Sequence, residues 1–209
     1  MENKDKNRAF NEMLIVAKDR LKDRAPEDIA QKSGTIFDAE SSTIKINSFG
    51  KTINLKYPSY DFEEAPDEWY VLIALHYLDL ADGTPVHSQP VHFGELKDGL
   101  IRGVKFDKTA ELELTRFVSD KEPEQIKRVF EELGAEFIKS KADLSAVIPF
   151  FPNYPVTINV WFADDEFDAE VKMFVDKSAD KYLTIEDSVM LGEAVIRYIL
   201  EKYNEIYGK

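Results

Sequence analysis

A chain of 209 residues with 44% hydrophobic and 32% charged side chains can bury a sizeable core and still carry a well-solvated surface. It has no cysteine, which excludes disulfides, thiolate nucleophiles, Cys-ligated zinc and any iron–sulfur cluster held by its own thiolates. A net charge of −13 opposes nonspecific nucleic-acid binding. No stretch approaches the ~18 consecutive apolar residues of a membrane span, and the opening MENKDKNRAFNEM lacks the apolar core of a signal peptide. A soluble, cytoplasmic protein is expected, with no membrane and no nucleic-acid partner.

In chain order, AFNEMLIVAKDRLKDR places Phe10, Met13, Leu14, Ala17 and Leu21 on one helical stripe. APEDIAQKSG offers Pro26 near a helix start and Gly34 as a stop. The period then changes to two. Ile44 and Ile46, then Ile53, Leu55 and Tyr57, alternate with polar residues around Ser48-Phe49-Gly50-Lys51, which reads as a hairpin turn with Gly50 at positive φ. From Trp69 to Leu80 the chain is apolar nearly all round, so a helix over 67–80 is expected at the centre of the fold.

A polar loop follows. FDKTAELELTRFVSD spaces Phe106, Ala110, Leu114, Phe117 and Val118 helically, and EPEQIKRVFEELG puts Ile126, Val129, Phe130 and Leu133 on one face between Pro123 and Gly134. PVTINVWF and EVKMFV return to period two, and a last helix starts after LTIED, where Thr184 and Asp187 resemble a capping box. Helices and strands come in blocks and not in regular alternation. That predicts an α+β fold, with antiparallel strands and hairpins packed against about five helices in one domain spanning 1–209.

All three histidines, His76, His87 and His92, fall within HYLDLADGTPVHSQPVH. Their spacing matches neither a zinc helix nor a zinc finger. They are candidate cofactor ligands, weighed against a structural reading in which His76 is buried and paired, with Asp79 in reach three residues on. Asp164, Asp165 and Glu166 follow an alternating strand and are candidate ligands for Mg²⁺ or Ca²⁺, although the EF-hand pattern is missing. The alternative is a charged hairpin tip that guards a sheet edge. No base occurs between Lys56 and Lys97, where eight acids accumulate, among them Glu63, Glu64 and Glu68. Such a stretch serves solubility or attracts a cation or a basic protein partner.

WYVLIALHYLDLADGTPV, VHFGELKDG and FPNYPVTINVWFADDEFDAEVKMFVDKSADKYLTIEDSVMLGE together resemble the prokaryotic domain-of-unknown-function family 3786. The residues that carry the resemblance are His76 to Leu78, Phe93 to Gly99, Trp161 to Phe167, Phe174 to Ser178 and Tyr182 to Asp187, and it runs from about residue 8 onward. Members of that family are concentrated in anaerobic bacteria and archaea, and some are joined to iron–sulfur modules like those of corrinoid proteins. The resemblance implies little about activity; the leading expectation is a soluble, non-catalytic binding or accessory protein serving a metallocofactor pathway, with a corrinoid or haem bound through histidine or with an iron–sulfur or corrinoid protein as partner. This chain lacks the cysteines and the appended module. Two other classes stand beside that expectation: a divalent-metal-dependent enzyme using the acidic residues, and a protein–protein adaptor with an acidic face.

Overall fold

The computed structural model describes residues 2–208. Its helices are α1 (Glu2–Leu21), α2 (Pro26–Ser33), α3 (Glu68–Leu80), α4 (Gly99–Val118), α5 (Pro123–Glu132) and α6 (Ile185–Tyr207), six where about five were expected. Strands β1 (Ile36–Asp38), β2 (Thr43–Ser48), β3 (Lys51–Lys56) and β4 (Asp61–Phe62) form one antiparallel sheet in sequential order. Strands β5 (Pro90–Val91), β6 (Glu136–Phe137), β7 (Leu144–Phe151), β8 (Tyr154–Trp161) and β9 (Glu170–Asp176) form a second, in the order β5-β9-β8-β7-β6. All pairings are antiparallel, so the fold is α+β.

The alternating segments become strands because each buries one face. Tyr154, Val156, Ile158 and Val160 point inward along β8, and Val171, Met173 and Val175 do so along β9. The β2–β3 turn takes positive φ at Gly50 (68°) and also at Phe49 (51°), as the tightest hairpins require. A phenylalanine pays strain there. Three contacts hold it: its ring meets Phe150 and Tyr198 at 4.9 and 5.2 Å, and its N–H donates to the Pro149 carbonyl at 2.9 Å.

Pro149 stands opposite Pro155, which has no N–H to donate, and the β7–β8 register shifts between Pro149 and Phe151, so backbone acceptors here are left out of the ladder. Ser48 Oγ donates to the neighbouring Phe150 carbonyl at 2.5 Å. The bulge in one sheet is thus the socket for the hairpin tip of the other.

Helix α3 is central, as its sequence predicts. Tyr70, Leu72, Ile73, Ala74, Leu75, Tyr77 and Leu78 are all buried in one continuous core. Asp67 starts it, with Oδ1 accepting from the Trp69 and Tyr70 N–H groups at 2.8 and 3.0 Å. The buried Tyr77 hydroxyl donates to the Ser33 carbonyl and accepts from Asn153 N–H, tying α3 to α2 and to the β7–β8 turn.

Helix α4 begins seven residues before the Phe106 at which its periodicity becomes visible. Gly99 and Gly103 in that missed first part lie against the backbone of a 3-10 turn over Phe93–Glu95, where an added Cβ would meet the Phe93 carbonyl oxygen at 2.3 Å. Close approach, not propensity, selects glycine here.

Candidate functional site

Helix α6 is capped by Thr184, whose Oγ1 accepts from Asp187 N–H at 3.2 Å and donates to Asp187 Oδ2 at 2.6 Å. The pairing expected from LTIED is therefore present. It also fixes Asp187 in the first helical turn, where the helix dipole favours negative charge. Asp187 is buried, and its other oxygen accepts a hydrogen bond from His76 Nδ1 of α3 at 2.7 Å. Burial pushes the Asp187 carboxyl up, but the hydrogen bonds from His76 and Thr184, with the attraction of the imidazolium when His76 is protonated, outweigh it and hold the carboxyl below its ordinary range. Asp79, the partner that spacing suggested for His76, is turned away to Arg24 and Arg20, at 3.3 and 3.7 Å.

An ionised Asp187 accepts and does not donate, so in its neutral form the His76 ring carries its proton on Nδ1 and keeps the Nε2 lone pair. Among the described residues Nε2 has no hydrogen-bond partner. The His76 side chain is 23% exposed, and it lines an open groove of about 490 Å³ together with Ala9, Glu12, Met13, Val16 and Arg20 of α1. An oriented imidazole with an unpartnered nitrogen, on a side chain that lines a groove, can ligate a metal or accept a proton.

The other two histidines occupy different surroundings. His87 is exposed on the loop between α3 and β5. That loop is fixed through its backbone: the N–H groups of His87 and Gln89 donate to Asp176 Oδ1 and Oδ2 at 2.9 and 3.0 Å. Asp176 is buried and also accepts from Ser178 N–H and Oγ. Burial raises its pKa, and these four hydrogen bonds bring it below the ordinary value. His92 precedes the 3-10 turn, with its ring 4.7 Å from that of Phe174. The turn itself is held by Asp107 of α4, which accepts from Phe93 and Gly94 N–H. In that carboxyl burial wins and the pKa is raised.

At the β8–β9 tip, Asp164, Asp165 and Glu166 are all exposed. Asp164 Oδ1 accepts from the N–H groups of Glu166 and Phe167, both at 2.8 Å, and these bonds lower its pKa. Among the described residues no group of three or more His, Asp or Glu is placed to hold a metal ion. Bases outside the acid-rich stretch also meet it: Lys18 pairs with Asp61, Arg197 with Asp67, and the bounding Lys56 with Glu63.

Sequence reasoning passed over Asp176 and took Asp187 only as a cap. Both lie in segments that carried the family resemblance, Phe174–Ser178 and Tyr182–Asp187, and both prove to be buried carboxylates that hold the histidine-bearing elements in place. No match to the chain is found among curated proteins, and none among solved structures. Residues 25–198 match the family described as a domain of unknown function (DUF3786), a span that takes in every element from α2 to most of α6 and leaves α1 outside. The chain belongs to the DUF3786 family.

Proposed function

We propose that the protein is a non-catalytic binding or accessory protein of a metallocofactor pathway, with His76 as the single protein ligand to a corrinoid or haem metal in the groove between α1 and α3. The observation that carries this reading is the hydrogen bond from His76 Nδ1 to the buried Asp187. A carboxylate behind the distal nitrogen fixes the tautomer and raises the basicity of the other nitrogen, as in most histidine metal ligands.

The absence of a three-residue ligand group among the described residues favours this class over a bare divalent ion, which needs several protein ligands. A tetrapyrrole brings its own equatorial nitrogens and asks the protein for one axial imidazole. The groove suits an apolar body: Ala9, Met13 and Val16 line it, and its volume lies within the roughly 300–1,000 Å³ of ligand sites. Arg20, which also pairs with Asp79, and Glu12 line the same groove, so its rim carries both signs of charge. Redox or ligand-transfer chemistry would belong to the bound cofactor; the chain's part is to orient one nitrogen and shelter one face.

The test is an absorption titration with haemin and with cobalamin, run on wild type, His76→Ala, Asp187→Asn and His87→Ala/His92→Ala. Saturable one-to-one binding is expected for wild type and for the double variant. His76→Ala should abolish it, and Asp187→Asn should weaken it about 10- to 100-fold, the usual range for loss of such a supporting carboxylate. Equal binding by wild type and His76→Ala, or no saturable binding by wild type, overturns the proposal.

A further inference from the structure

Helix α4 buries Gly103, Phe106, Ala110, Leu114 and Val118 against β9, α6 and the 3-10 turn. Its opposite face carries Ile101, Val104 and Leu112, all exposed, with Leu100 at the edge. Leu100 and Ile101 are 83% and 86% exposed, and exposed apolar side chains grouped on one face are what marks an interaction site. Between these apolar residues stand Lys105 and Lys108, and one turn beyond Leu112 stands Arg116. Among the described residues none of the three bases forms an ion pair, in a chain whose net charge is −13 and whose other bases are mostly engaged. A face that is both apolar and basic on an acidic protein is a local exception to its surface.

We infer that the outward face of α4 is a docking surface for an acidic amphipathic helix of a partner protein. Ile101 and Leu112 lie about three helical turns apart, roughly 16 Å at 1.5 Å per residue. They fit two apolar anchors at that spacing on a facing helix, with carboxylates between them to meet Lys105 and Lys108. Charge complementarity favours such a segment over the other occupants. A second copy packed α4 to α4 in antiparallel fashion would set Lys105 and Lys108 against their own counterparts. An anionic lipid surface is broad, and it would also bring the flanking Glu111, Glu113, Glu186 and Glu193 close to like charge, whereas a single helix touches only the stripe. This surface is separate from the His76 groove and stands or falls without it.

The experiment uses the full chain and a synthetic helical peptide of about 15 residues, carrying leucines about three turns apart and glutamates on the same face between them. Binding is read by fluorescence anisotropy, with the Glu→Lys peptide, phosphatidylserine/phosphatidylcholine vesicles and light-scattering mass as parallel arms. The expected result is saturable one-to-one binding of the acidic peptide that falls about tenfold or more between about 50 and 300 mM salt. Lys105→Glu/Lys108→Glu and Ile101→Ser/Leu112→Ser should each abolish it. Lys139→Glu/Lys141→Glu, the same change of net charge on another exposed segment, should leave it intact. No acidic-peptide binding, or equal loss in the Lys139/Lys141 variant, overturns the inference. So does vesicle binding or dimerisation that the α4 variants remove, which would assign the face to lipid or to a second copy.

Discussion

Two regions of this chain concentrate residues that could ligate a metal, and they are built in opposite ways. At the β8–β9 tip, Asp164 spends its acceptor on backbone N–H groups two and three residues ahead, and the cluster stays in water. At His76 the partner comes from 111 residues away, is buried, and leaves one nitrogen of the imidazole uncommitted. A local cluster tends to satisfy itself and becomes a turn. Groups brought together by packing are held in place by the core, and their unused valence is what a ligand meets.

If that contrast is right, the His76 region should be stiffly supported and the tip should not. The largest effect is expected beneath His76. Leu75 of α3 is fully buried, and Leu75→Ala should cost roughly 2–5 kcal/mol in denaturant unfolding, with the whole chain unfolding in one transition. Phe167→Ala at the tip removes a side chain that is 70% exposed and should change stability by less than about 0.5 kcal/mol. Similar costs for the two would erase the distinction.

Next comes the carboxylate itself. Asp187→Ala leaves His76 Nδ1–H and the Thr184 hydroxyl without their acceptor in a buried setting, at a cost of about 1–3 kcal/mol. The pH dependence has a definite sign. The folded pKa of Asp187 is depressed below its unfolded value, so its contribution is fully present above the unfolded pKa of about 4 and is lost as pH falls through the folded one. Asp176 is depressed as well and works in the same direction. Asp107 is raised and works against them, its contribution present at low pH and lost as pH rises through its folded pKa. Wild type should therefore lose stability below about pH 4, and Asp187→Ala should flatten that acid limb; an unchanged limb would remove Asp187 from its role.

The sequence made one of these regions more legible than the other. Local elements were readable: the β2–β3 hairpin, the all-round apolar α3, the period-two strands β8 and β9, and the Thr184 cap all follow from residues a few positions apart. What depends on contact across the chain was not. The Asp187–His76 bond has no local signature, and the spacing rule pointed to Asp79, which arginines from α1 and the following turn had already engaged. Strand β7 escaped because both its faces carry apolar residues and Pro149 interrupts it, although that proline sits where the ladder shifts register. The start of α4 escaped because two glycines hide it.

Gly103→Ala sets propensity against packing. Alanine is worth about 1 kcal/mol more than glycine in a helix interior. The new methyl would meet the Phe93 carbonyl carbon and oxygen at 2.5 and 2.3 Å, backbone atoms that cannot rotate aside. Overpacking of this kind costs about 1–3 kcal/mol, so the net effect should be destabilisation of about 1 kcal/mol. It should come with a change in the His92 ring environment, read by its NMR shift, because the 3-10 turn next to His92 is what the methyl displaces. A stabilised variant would mean that the turn yields easily and that α4 is not locked to it.

The smallest effect should come from the histidine that looked, along the chain, much like the others. His87 is exposed, and only its backbone N–H is engaged, by Asp176. His87→Ala keeps that N–H, so stability should stay within about 0.5 kcal/mol of wild type. Asp176→Ala strips acceptors from the N–H groups of His87, Gln89 and Ser178 and should release the loop, seen as faster amide exchange from 84 to 91. Three histidines in one window thus separate by what holds them: His76 through its ring bond to Asp187, His92 by packing on Phe174 with the Asp107 carboxylate 3.9 Å from its Nδ1, His87 through its backbone alone. A marked loss of stability in His87→Ala would show that its imidazole has a partner in solution and would return it to the candidate ligands on equal terms with His76.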